Sequence, residues 1–454
     1  MALMPFTDSM FLLVESREHP MHVGGLQLFQ TPDGAESDYL RGIRDDLLKN
    51  EEIPPIFRRR PARPVNTAGY LAWANDTDVD LHYHFRHSAL PRPGRVRELL
   101  ELTSRWHSTL LDRHRPLWEI HLVEGLRDGR FAMYSKIHHA LLDGVSALRH
   151  LQGTLSDDPD DRNCPPPWGS RRPPREKQAR NARSLLRTAE NSLTQLAGVA
   201  PAAFKVANEA FREHTLTLPM QAPKTMLNVP IGGARRFAAQ SWPLARVRDV
   251  ATATGTSRND VVLAMCAGAL RDYLIEQKAL PDAPLIAMVP VSMRKQTEAE
   301  STGNQIGAVL CNLATDRGDA AARLSTIHHS MRDAKRIFKE LTPLQALLLS
   351  GINVAQLGVS TVPGVVTNTR PPFNLVISNV PGPRKQMYWN GAKLDGIYPA
   401  SVLLDGQALN ITLTNSGDNL DFGITGCRTS VPHLQRLLLH LDTALAELEH
   451  VAHH

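Results

Sequence analysis

The stretch Tyr134–Leu148 reads YSKIHHALLDGVSAL, two adjacent histidines followed by an aspartate and a glycine. An imidazole, with an unperturbed pKa of about 6.5, can both take and return a proton near neutral pH. His138, His139 and Asp143 therefore raise three possibilities: proton transfer, metal binding, or packing. The preceding FAMYSKI run (Phe131–Ile137) predicts a strand, and neighbouring strand side chains face opposite sides. His138 and His139 then cannot serve as one unit. One faces a cavity while the other packs inward, so a single histidine is expected as general base. Opposed faces also discourage a shared metal ion, no further ligand cluster accompanies the pair, and none is expected. Asp143 and Gly144 mark the turn into VSAL, an apolar run that predicts a helix start.

The same spacing recurs in IHHSMRDA (Ile327–Ala334), where Ala334 replaces the glycine. Here the flanks, GDAAARLST and KRIFKEL, predict a charged amphipathic helix. His328 and His329 are read as surface or packing residues. Spacing is informative only together with the strand and the turn.

Those two contexts sit in a chain of 454 residues, too long for one ordinary core, so two halves are expected. LQLFQ (Leu26–Gln30) and FAMYSKI predict strands, and RVRELLELTSRWHSTLL (Arg95–Leu111) an amphipathic helix. Beyond the proline-rich middle, Asn259–Gln277 predicts a helix whose start is marked by Ser257 or Asn259. Leu285–Met293, Asn374–Val380 and Leu409–Ser416 predict strands, and VPHLQRLLLHLDTALAELEHV closes as an amphipathic helix. Helices interleaved with strands throughout give an α/β body. The expected division is 1–163, a crossover over 164–232, and 233–454.

Composition narrows the partners. The formal charge of +5 is too mild to argue for nucleic acid, but it suits an anionic ligand or a membrane surface. The four cysteines form no CxxC pair, so neither a disulfide framework nor a zinc site is expected and a reducing compartment fits. The first twenty residues lack a basic leader region and predict no signal peptide. Thr342–Thr369 is the longest uncharged segment, but polar residues and Pro363 interrupt it, so it predicts buried helix and loop. In the crossover, Arg171, Arg172, Arg175, Lys177, Arg180, Arg183 and Arg187 face only Glu176. That run is the expected attachment to a membrane or lipid-droplet surface.

KIHHALLDGVSA resembles the HHxxxDG motif of the CoA-dependent acyltransferases. Further segments resemble the bacterial wax ester synthase/acyl-CoA:diacylglycerol acyltransferase family: MHVGGLQLF, RPLWEIHLVEGL, RRFAAQSW, the NDVV helix start, VPVSMR, GNQIG and FNLVISNVPGP. The resemblance implies two chloramphenicol-acetyltransferase-like halves around a central channel, joined by a long crossover. It also implies transfer of a long-chain acyl group from acyl-CoA, a co-substrate and not a resident cofactor, to a fatty alcohol or diacylglycerol.

Carried onto this chain, the resemblance makes His139 the general base and Asp143 structural, with Arg294 its expected partner. Asn259, Ser378 and Asn379 are candidates for stabilising the oxyanion; on local grounds they would be helix-capping or turn residues. Pro116, Leu117 and Trp118 are expected to shape the substrate pocket, unless they are plain core. The expected location is cytoplasmic and peripheral, at the inner membrane or lipid inclusions. Two competing readings are another condensation-type transfer on the same fold and a non-catalytic lipid-binding relative. The lack of a carrier domain, with PLWE and NDVV present, argues against the first, and the intact motif against the second.

Overall fold

The computed structural model describes residues 2–36, 38–50, 52–62, 71–169, 221–292, 306–340 and 369–453. Arg294, the cationic crossover run and all but the last residue of Thr342–Thr369 lie outside them. The first part comprises β1 (Ala2–Leu3), α1 (Phe6–Val14), β2 (His22–Gln30), α2 (Tyr39–Leu48), β3 (Arg59–Ala62), β4 (Ala72–Asn75), α3 (Leu81–His84) and β5 (Phe85–Ala89). It continues through α4 (Val96–Ser108), β6 (Trp118–Glu124), β7 (Arg130–His138) and α5 (Gly144–Gly153). The second part comprises β8 (Arg235–Pro243), α6 (Leu244–Ala253), α7 (Arg258–Glu276), β9 (Ile286–Ser292), β10 (Ile306–Asn312) and α8 (Ala320–Glu340). Then come β11 (Leu375–Val380), β12 (Tyr388–Trp389), β13 (Ala392–Ala400), β14 (Leu409–Ser416), β15 (Asn419–Cys427) and α9 (Arg436–His453).

Among the described residues, two six-stranded sheets with strand orders β12-β13-β2-β7-β6-β5 and β10-β9-β11-β14-β15-β8 organise the body, beside a small three-stranded sheet β1-β4-β3. The expected α/β body of two sheet-rich halves is what the chain forms. The halves are not sequential, however, because β12 and β13 leave the second part and pair into the first sheet through β2. A second tie reinforces this exchange. Asp421 of β15 accepts the backbone N–H of Ile397 on β13 at 2.8 Å. Backbones run so close here that a Cβ on Gly423 would lie 1.9 Å from the Pro399 carbonyl oxygen. Glycine is required at that crossing.

Each helix is held by the pattern of its own sequence. In α7, apolar residues occupy nearly every face from Val261 to Leu270, so the helix is buried, packed against the second sheet's core and α9. Ser257 is its N-cap, closing a reciprocal capping box with Asp260, so Asn259 lies within the first turn. In the first half, α5 lies on β2 over the paired glycines of MHVGGLQLF. A Cβ on Gly25 would meet Leu151 Cδ1 of α5 at 2.4 Å, so a larger residue would force the Leu151 side chain aside. That packing sets the position of the helix that begins at Asp143.

Candidate active site

The motif occupies the expected strand end. β7 finishes at His138, and Asp143 caps α5, its carboxylate accepting Ser146 N–H at 2.8 Å and the Ser146 hydroxyl at 3.1 Å. An aspartate N-cap satisfies helix donors that would otherwise be orphaned, and Gly144 occupies the first helical position. Asp143 therefore shapes the turn. Its expected partner Arg294 lies outside the described residues.

The two histidines are treated differently. His138 is fully buried, and each ring nitrogen faces a polar group. Its Nδ1 accepts the Ala140 N–H at 3.0 Å, which leaves the ring proton on Nε2, 3.2 Å from Glu15 Oε1. Glu15 is itself buried and also binds Met21 N–H at 3.1 Å and Arg113 Nη2 at 2.8 Å. Burial alone would raise the Glu15 carboxyl, but His138, Met21 and Arg113 together hold it below its ordinary value. His138 is an anchor, not a free base. His139 is only half-buried; its backbone N–H donates to Met21 O at 2.8 Å, and its ring stacks on Phe11 at 4.2 Å.

Glu15 and Phe11 contact the motif histidines, and the sequence reading did not single them out. One segment, α1 and the residue after it, holds both histidines. The signal was present as a lone carboxylate ending the apolar run MFLLVE, an expensive residue to bury without a partner.

Beneath the motif the interior is kept neutral. His22 stands opposite His138 in the β2–β7 register, and its Nε2 lies 2.9 Å from His107 O. Burial pushes His22 well below the usual histidine range, and pushes His107 down to about 3. A buried ion pair, Lys136 Nζ to Glu119 Oε2 at 3.2 Å, lies two residues before His138. Burial would raise Glu119, but His121, Lys136 and Arg86 hold it at about 2.

Of the oxyanion candidates, Asn379 Nδ2 and Asn259 Oδ1 meet at 3.5 Å, while Ser378 pairs with Thr412 across β11 and β14. Ser378 and Asn379 are strand residues, as the predicted strand Asn374–Val380 requires and against the turn reading drawn from Pro381. The segment after Asn379 runs to the motif helix, where Pro381 O accepts Gln152 Nε2 of α5 at 3.3 Å. Pro116, Leu117 and Trp118 are all buried. Trp118 donates Nε1–H to Phe57 O at 2.8 Å and stacks on His84, and Leu117 O takes the His138 N–H at 3.0 Å. Leu117 thereby ties this segment to the motif through its backbone. The second HH pair lies on α8 as expected: His328 Nδ1 pairs with Asp260 at 2.9 Å, and exposed His329 bonds its own helix at Ser325 O.

Comparison with known proteins agrees with this geometry. Residues 4–262 match the wax ester synthase/diacylglycerol acyltransferase catalytic domain, and residues 302–449 match the WS/DGAT C-terminal domain. A Mycobacterium tuberculosis protein named as a probable diacylglycerol O-acyltransferase, tgs2, is 56% identical, covering 99% of each chain. The O-acyltransferase WSD of Acinetobacter baylyi is 43% identical, over 98% of this chain and 96% of that one. The solved wax ester synthase/diacylglycerol acyltransferase from Marinobacter aquaeolei VT8 superposes with a TM-score of 0.79 at 43% identity, covering both chains completely. A condensation domain of the calcium-dependent antibiotic synthetase shares the fold alone, with a TM-score of 0.57 at 18% identity. With its histidine motif set at a strand end and both family domains matched along its length, the chain belongs to the wax ester synthase/diacylglycerol acyltransferase family.

Proposed function

We propose that this chain transfers a long-chain acyl group from acyl-CoA to a fatty alcohol, a diacylglycerol, or both, with His139 as general base. The observation that carries the reading is the difference in burial between the histidines: His138 is fully buried between Ala140 N–H and the Glu15 carboxylate, whereas His139 remains half-buried at the strand end. A thioester is already activated, but a neutral alcohol attacks slowly unless its proton leaves in the transition state. His139 takes that proton as the alcohol oxygen attacks the thioester carbon. The tetrahedral intermediate collapses with cleavage of the carbon–sulfur bond, and the imidazolium returns the proton to the CoA thiolate. Ester and free CoA result, with no covalent acyl-enzyme. Asn259, Asn379 or Ser378 donates to the oxyanion, and Arg294 pairs with Asp143.

The acceptor partitions into lipid, so the enzyme works at a lipid surface. Among the described residues no helix is long and apolar enough to cross a membrane. The cationic run Arg171–Arg187 supplies reversible attachment, each cation near an anionic leaflet contributing about 1 kcal/mol. Sedimentation with anionic liposomes should therefore fall steeply as salt rises.

The direct test is CoA release from palmitoyl-CoA with and without hexadecanol or diacylglycerol. Release that depends on an added alcohol, with the matching ester recovered, is expected. Turnover that ignores both alcohols would remove the reading.

A further inference from the structure

An arginine-lined cleft of about 660 Å³ opens on the seam between the two halves. One wall is α4, which presents Arg97, Glu101 and Arg105 at successive i,i+4 positions, hence on one face. The opposite wall is Arg235 and Arg236 at the start of β8, with Arg428 just beyond β15. The two walls are fastened together. β8 is the edge strand of the second sheet, and α4 serines cover that edge: Arg235 N–H donates to Ser108 Oγ at 2.8 Å and Phe237 N–H to Ser104 Oγ at 2.9 Å.

Charge in the cleft is one-sided. Arg97 is neutralised by Glu101 at 3.2 Å, and buried Arg235 is tied to the carbonyl oxygens of Gly232 and Glu18. Arg105, Arg236 and Arg428 form no ion pair among the described residues. Glu101, already paired with Arg97, is the one carboxylate on the described lining, so three unpaired guanidinium groups share the cleft and favour an anion, and the guanidinium fork matches phosphate oxygens in pairs. The volume lies within the range of small-molecule and cofactor sites.

The cleft is also wired to the motif. Thr109, on its lining, accepts Lys136 Nζ through its carbonyl at 3.0 Å, and Lys136 stands two residues before His138 on β7. We infer that this cleft binds a phosphorylated ligand, and that the ligand is the nucleotide end of acyl-CoA, with Arg105, Arg236 and Arg428 as its phosphate contacts. The inference rests on the acyl-CoA reading above. An anionic lipid headgroup offers the same phosphate chemistry, but it comes from a surface and not from a small enclosed ligand, so the two sources separate experimentally.

The test compares the wild type with the triple variant Arg105→Gln, Arg236→Gln, Arg428→Gln and with Arg105→Gln alone, each checked for an unchanged melting temperature. Calorimetric titration is done with CoA and with pantetheine, which has the same thiol arm but no phosphate. The triple variant should bind CoA at least about 30-fold more weakly, with pantetheine binding unchanged and the single variant intermediate. An unchanged CoA affinity, or an equal loss for both ligands, overturns the assignment. So does loss of sedimentation with phosphatidylglycerol-containing vesicles while CoA binding stays intact, since that outcome gives the cleft to a lipid headgroup. The underlying reading fails separately. Cleft-dependent CoA binding with no ester formed would leave this site standing and remove the acyl transfer, whereas ester formation with a KM for palmitoyl-CoA indifferent to these arginines would do the reverse.

Discussion

His138 Nε2 lies 3.2 Å from Glu15 Oε1, and the other oxygen of the same buried carboxylate takes Arg113 at 2.8 Å. The first histidine of the motif is thus pinned from outside its own strand by a residue more than a hundred positions earlier. Glu15→Ala should destabilise the protein by about 3 kcal/mol, because it strands partners that were satisfied in the interior. Glu15→Gln keeps an acceptor for the His138 ring proton and should retain most of the stability at neutral pH. The sign with pH follows from the lowered carboxyl. Its stabilisation is present above the unfolded value of 4.5 and is lost as pH falls through the lower folded value, so the gap between wild type and Glu15→Gln should close in acid. Urea unfolding at pH 7 and below pH 4.5 measures it. A gap that widens in acid would contradict the pairing.

Single substitutions separate the histidines. His139→Ala should lower kcat by about 10²–10⁴-fold, the usual worth of a positioned base, with the fold intact. His138→Ala removes a fully buried ring and should lower the melting temperature. His329→Ala, on the exposed face of α8, should leave both unchanged. Loss of activity in His329→Ala with an active His139→Ala would mean that the wrong histidine pair has been chosen.

A third expectation concerns Lys136 and Glu119, an ion pair that lies almost wholly out of solvent. Truncating either residue leaves the other charged and buried, at a cost of about 3–5 kcal/mol, whereas removing both should cost much less than the sum. A double-mutant cycle with Lys136→Met and Glu119→Leu checks this by urea unfolding. Strictly additive losses would show that the two charges stabilise the fold independently.

Local pattern made the motif legible. The strand period of Phe131–Ile137, the turn at Asp143–Gly144 and the apolar VSAL run together placed His138 and His139 on a strand end, and the helical flanks of His328–His329 separated the decoy. The charged, amphipathic pattern of α4 was equally plain. Long-range pairings were not. Nothing local to Ala392–Ala400 says that this strand leaves its neighbours to join β2, because the choice depends on Asp421 and Gly423 across the seam. Glu15 was only half-legible for the same reason: its place at the end of an apolar run marks a carboxylate costly to bury, but only the fold supplies His138 and Arg113 as its partners. For Trp118 the sequence left pocket and core open, because a buried aromatic and a ligand-facing one have the same sequence signature; its hydrogen bond to Phe57 and its stack on His84 are tertiary facts.

The seam itself carries the last expectation. Asp421 is fully buried, with Oδ1 taking the Ser241 hydroxyl at 2.6 Å and Oδ2 the Ile397 N–H at 2.8 Å. Burial pushes its carboxyl up to about 7, against the pull of those two hydrogen bonds and with some help from nearby Asp395. A raised carboxyl reverses the usual dependence. The unfolded chain gives up this proton from about pH 3.8, while the folded protein holds it until about 7, so the group costs stability as pH climbs through that window. Asp421→Asn has the shape of the protonated acid, keeps a carbonyl for Ile397 N–H, can donate to Ser241, and does not titrate. Its stability relative to the wild type should rise steadily from pH 5 to about pH 7 and then level off, the gain over that span being on the order of 1–4 kcal/mol. Thermal unfolding from pH 5 to pH 8.5 reads the difference directly. A difference constant across that range, or one that shrinks toward pH 8, would mean that Asp421 is already ionised in the folded seam, held there by its two donors.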